Sequence, residues 1–259
     1  MYYLTTRPLW VLILLLVFFT ALAMAASLLI RRRIGLEKLR TNNEVAGFKF
    51  ATIGVLYAVL LGFVVIIAWE RFHEAERALA AEAGAAVTIY RLAGGLDEPG
   101  AAALRNRITA YLKSVLEEDW PAMALGRWSP ATTGKLNDLY AELVRFHPAD
   151  LRDLDMQQDL LREADKLSEA RRERLVMAAG TVPGTIWFVL FLGALLTISF
   201  TYFFGTQNAF TQSLMTAVLA ALIFSALLVI IAIDRPFTGA VVVPTETIRS
   251  VLEDLPPSP

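Results

Sequence analysis

Few residues in this chain could carry chemistry, and their spacing narrows what that chemistry is. Glu117, Glu118 and Asp119 stand in a row, the residue type that acid–base centres use. Consecutive helical positions point in different directions, so the three read as a solvated face and not as a converging carboxylate centre. There is no cysteine, and the only histidines are His73 and His147. A thiol nucleophile, a disulfide framework and a histidine-rich metal site are therefore excluded. No glycine-rich phosphate loop and no Gly-x-Ser-x-Gly elbow occurs. The expectation is a protein that is not an enzyme, without catalytic residues, metal or cofactor.

What remains is chemistry along and at the ends of apolar segments. Val59, Phe63, Val64 and Ile67 lie in a run without charge, and apolar rings can hold a water path shut by dewetting. They are the pore or gate candidates. Glu70 and Arg71 end that run, and Asp234 and Arg235 follow a later one. These four are mouth candidates that could set ion preference, with anchoring at the bilayer interface as the alternative role. Small residues recur at Gly54, Ala58 and Gly62, at Gly193 and Thr197, and at Ala217 and Ala221. Such strips let helices approach closely, so these seven are helix-packing candidates. The apolar runs hold no charged residue, which suits passive conduction and not proton-coupled pumping.

The segments that carry these residues are long enough to cross a bilayer. Of 259 residues, 56% are hydrophobic, too many for an ordinary soluble domain. About 20 apolar residues in a helix span a ~30 Å hydrocarbon core. Four runs qualify: 9–30, 50–69, 184–204 and 210–233. The fold class is all-α, with four transmembrane helices in two pairs and a helical extramembrane region between the second and third. A head at 1–8, a connector at 31–49, the extramembrane region at 70–183 and a tail at 234–259 complete the division. The first run reads as a retained span and not a cleaved signal, because Arg31-Arg32-Arg33 follow it as a stop-transfer signal.

The second span has no helix breaker until Gly94-Gly95, so a rigid stalk continuous with it is expected. In the extramembrane region a helix over 101–119 is expected to stop at Trp120-Pro121, since proline disfavours helical geometry in the residue before it. Ser129-Pro130 offers a cap and a first-turn proline for a helix to Phe146. A long helix from Pro148 to about Ala179 carries apolar residues at Leu151, Leu154, Leu161 and Leu175. The tail ends in Pro256-Pro257-Ser258-Pro259, expected to be disordered at its tip.

Net charge is −1, which gives no field for nucleic acid. The expected partners are the lipid bilayer and further copies of the chain, because three spans carry packing strips. Arg31, Arg32, Arg33, Lys38, Arg40 and Lys49 flank the connector, against Arg7, Arg235 and Arg249 on the other side. Counted over short loops, this places the connector in the cytoplasm and the helical region outside, whereas counting Arg71, Arg77, Arg171, Arg172 and Arg174 on the domain side as well removes the bias.

Four stretches carry a resemblance. They are Asn43-Glu44-Val45-Ala46-Gly47-Phe48, Trp69-Glu70-Arg71, Glu118-Asp119-Trp120-Pro121 and Asp234-Arg235-Pro236-Phe237-Thr238-Gly239. In their order the chain resembles a family of bacterial bestrophin-like membrane proteins, and more distantly the bestrophin anion channels. The resemblance implies a multi-pass protein of the plasma (inner) membrane, assembled as a homo-oligomer of five copies and conducting anions passively. It also implies a cytoplasmic helical region, against the short-loop charge count. The acidic calcium cluster of bestrophins is not matched: after Gly239 the chain reads Ala240-Val241-Val242-Val243, and no calcium ligand is carried over. The alternative is a non-conducting membrane scaffold or sensor whose helical region binds a partner.

Overall fold

The structure, a computed structural model, describes residues 8–40, 43–180 and 182–255. Residues 1–7 of the head, and residues 256–259, the tip expected to be disordered, lie outside the described residues. All regular structure among the described residues is helical. Four helices are long and apolar enough to cross a membrane. The chain divides into two compact units, residues 1–70 with 181–234 and residues 71–180 with 235–259.

The first unit holds the apolar helices. Helix α1, Leu9–Ile34, runs through the three arginines, which sit in its last turn, where cations suit the helix dipole. Gly35, at φ 84°, ends it, a backbone state that glycine adopts without strain. A short α2, Leu36–Arg40, precedes α3, Asn43–Leu92. Helix α3 is 50 residues long and unbroken, the length expected of a span that continues as a stalk. Helix α8 covers Gly184–Thr201 and α9 covers Ala209–Ile233. Asn208 caps α9, its side chain accepting from the N–H groups of Phe210 and Thr211.

Within this unit α1 packs along α9, and α9 also meets α8. Helix α3 meets α8 at one close crossing. The Tyr57 hydroxyl donates to the Leu190 carbonyl at 2.9 Å, and the ring lies so near Gly193 that a Cβ there would stand 2.5 Å from it. Outside these seams the unit displays Trp10, Phe18, Phe63, Phe188 and Met215, all mostly exposed. Apolar surface on that scale belongs against lipid or against another protein.

The second unit holds the remainder of α3, then α4 (Glu98–Ser114), α5 (Trp120–Ala124), α6 (Pro130–Arg145), α7 (Leu151–Ala178) and α10 (Glu246–Asp254). Its core joins Leu104, Ile108 and Leu112 of α4 to Leu136, Leu139 and Leu143 of α6. Ser129 caps α6 as expected, accepting from the N–H groups of Ala131 and Thr132.

One expectation is corrected here. The helix through Asp119 does not stop at Trp120-Pro121. It widens into a π-helical turn, Val115–Asp119, and continues as α5, with Pro121 in the first turn. The Trp120 N–H reaches back five residues to the Val115 carbonyl, so the regular ladder is already shifted where Pro121 brings no N–H. On α7 the buried face is Leu160, Ala164, Leu167, Ala170, Arg171, Arg174 and Ala178, whereas Leu151 and Leu154 are exposed.

Candidate functional site

On the membrane part of α3 the buried residues are Tyr57, Leu61, Val64 and Ala68. Their spacing of three and four is one stripe of an α-helix. Val59, Phe63 and Ile67 recur every fourth residue on another face and are 52%, 62% and 49% exposed, whereas Val64 is 5% exposed. The structure thus keeps three of the four pore candidates on one open apolar face and turns the fourth into the chain's own packing.

The mouth candidates also part. Glu70 and Arg71 are exposed, and Arg71 pairs with Glu74 at 3.1 Å one turn on. Asp234 is buried, and its Oδ1 accepts from the Val182 N–H at 2.8 Å, which ties the end of α9 to the approach to α8. Arg235 is half-buried.

Of the packing candidates, Gly193 and buried Thr197 sit in a helix seam. Gly54 and Gly62 do not: a Cβ on either meets nothing within 4 Å. With exposed Ala58 they line an open apolar groove shared with Leu219, Leu222 and Ala226 of α9. Ala217 and Ala221 are half-buried on α9.

A buried polar cluster in the second unit is not among the sites singled out from the sequence. Arg174, fully buried, donates from Nε and Nη2 to the two oxygens of Glu82 at 2.5 and 3.0 Å, and from Nη2 to Asp119 Oδ2 at 3.2 Å. Arg171 grips the same Asp119 through Nε at 2.9 Å and Nη2 at 3.2 Å. Asp119 Oδ1 also accepts from the Ser129 N–H at 2.9 Å, and the Tyr111 hydroxyl donates to Glu82 at 2.5 Å.

Two guanidinium groups therefore meet two carboxylates, and the charges balance. Burial is the largest single influence and opposes the charge on Arg174, but the charge and hydrogen bond of Glu82, with Tyr111 and Asp119, together outweigh it and hold the group protonated. Burial and the Glu82 charge push the Tyr111 hydroxyl well above its ordinary range. Asp119 is thus no part of a solvated face, although Glu117 and Glu118 are exposed as expected. Asp119 is the last residue of the π-helical turn, and within that turn it is buried with Val115. The signal that could have found the cluster is the spacing of Arg171 and Arg174, which continue the heptad-like series of Leu160, Ala164 and Leu167.

Among the described residues no group of histidines, cysteines and carboxylates is arranged to hold a metal ion. An all-helical chain with four helices of bilayer length defines the class: a multi-pass membrane protein. Residues 17–248 match the bestrophin-like domain, and the chain belongs to the bestrophin-like family. A crystal structure of a bacterial bestrophin homolog from Klebsiella pneumoniae, determined by Zn-SAD phasing, superposes with a TM-score of 0.71 at 17% identity, covering 92% of this chain and 96% of that one. A variant of the Klebsiella pneumoniae homolog gives 0.73 at 16% identity over 93% and 98%. A crystal structure described only as a membrane protein gives 0.71 at 16% identity over 93% and 97%. No curated protein matches the chain.

Proposed function

We propose that the protein is an oligomeric passive ion channel of bestrophin type, conducting anions across the plasma (inner) membrane. The observation that carries the reading is the open face of α3, where Val59, Phe63 and Ile67 stand exposed in a span without charge. Around a symmetry axis, five copies of that face form stacked apolar rings, a constriction that is dry when narrow and conducts when widened. Opening requires α3 to tilt or rotate so that the three side chains withdraw. Exposed Glu70 and Arg71 follow Ile67 along the helix and form the mouth on that side. The anion preference and the count of five rest on kinship with the bestrophins. The two-pair arrangement of spans has the same support.

Purified protein in liposomes tests the reading. Chloride efflux above that of empty liposomes, with much slower potassium efflux, is the expected result. Absence of flux for either ion would make the protein a non-conducting scaffold.

A further inference from the structure

We infer that the end of α1 and the neighbouring groove form a binding site for one anionic phospholipid per subunit. Arg31 is half-buried and locked in place. Its Nη1 donates to the Thr206 carbonyl and to Gln212 Oε1, both at 2.7 Å, and its Nη2 donates to the Gln207 carbonyl at 2.9 Å. All three acceptors are neutral. A guanidinium has five N–H donors, so one on Nε and one on Nη2 have no partner among the described residues. Two adjacent donors on a fixed planar cation match two oxygens of a phosphate. Arg32 and Arg33, next along the helix, are exposed. None of the three arginines has a carboxylate partner among the described residues.

Two of the residues that hold Arg31, Thr206 and Gln212, also form the lip of a groove of about 360 Å³ walled by Phe50, Phe204, Met215 and Leu219. Cationic edge and apolar slot therefore adjoin, as phosphate and acyl chain do in a phospholipid. The position fits as well, since Arg31 lies in the last turn of a membrane-length helix, at the depth of lipid headgroups. Net positive charge there favours an anionic headgroup over a zwitterionic one.

The test is native mass spectrometry of the detergent-purified full chain, titrated with phosphatidylglycerol, with phosphatidylcholine of the same chains, and with glycerol phosphate. Phosphatidylglycerol is expected to bind one per subunit, about tenfold or more tighter than phosphatidylcholine, and glycerol phosphate not to bind detectably. Met215→Trp, at a position 63% exposed and so tolerant of bulk, fills the groove and should weaken phosphatidylglycerol at least about tenfold. Arg31→Lys, which keeps charge but lacks the second donor, should weaken it too. Equal retention of both lipids, or unchanged affinity in Met215→Trp, overturns the site and leaves diffuse attraction to basic residues. Glycerol phosphate binding as well as the lipid overturns the acyl-chain half. A change in subunit count in Met215→Trp, with lipid binding intact, shows that another copy covers the groove and also overturns it.

Discussion

Arg174 shows how a buried charge can be stable in this protein: every neighbour that could leave it unpaired is itself held. Glu82 is fixed by Tyr111, and Asp119 by Arg171 and the Ser129 N–H. Removing one partner strands a charge away from water, so Arg174→Ala is expected to lower stability by about 3–5 kcal/mol. Removing both together, as Glu82→Gln with Arg174→Met, leaves the Asp119–Arg171 pair balanced and should cost far less. Thermal and denaturant unfolding of the two variants in detergent checks this; equal losses would mean that the cluster is held by packing and not by charge. Asp119 was not legible as a cluster member because carboxylates in sequence read as solvent-facing. Glu117 and Glu118 share its π-helical turn and are exposed, so three neighbouring carboxylates of like type meet opposite surroundings that only the packing of α7 against the turn distinguishes.

At the scale of elements, small residues do two different things. Gly193 admits the Tyr57 ring, and that ring is fixed by its hydrogen bond to the Leu190 carbonyl. Gly193→Ala must push the ring or spread α3 from α8, a loss of about 1–3 kcal/mol expected for overpacking. Gly62 faces open space. Gly62→Leu should leave the subunit's melting temperature nearly unchanged and alter the oligomer distribution seen by mass photometry; an unaltered distribution would place that strip against lipid. The sequence pattern named both strips but could not tell them apart, since spacing shows which residues share a face and not what meets it. The continuation through Trp120-Pro121 was illegible for a related reason. Proline marks an unfavourable helical position before it, yet Trp120 adopts helical φ −61° and ψ −50° and the helix runs on through the π-helical turn into α5.

For the whole molecule, the four spans were readable because hydropathy summed over about 20 residues overwhelms local noise. The packing of α1 along α9 was not, as nothing in two uniformly apolar helices marks them as partners. The distribution of basic residues gives one further expectation: a reporter inserted within residues 94–100 should be active only outside the cytoplasm. Activity only inside would show that the helical region follows bestrophins and not the charge count. The central claim concerns α3, whose exposed face is read as a dewetted constriction. Its most direct test compares Phe63→Ser with Val64→Ser and the parent in planar bilayers under a chloride gradient. The exposed position should raise basal chloride conductance, because a hydroxyl on the open face lets water enter the ring, while the buried position should raise it much less. Conductance unchanged in Phe63→Ser, or raised more in Val64→Ser, would contradict the assignment of this face to the pore.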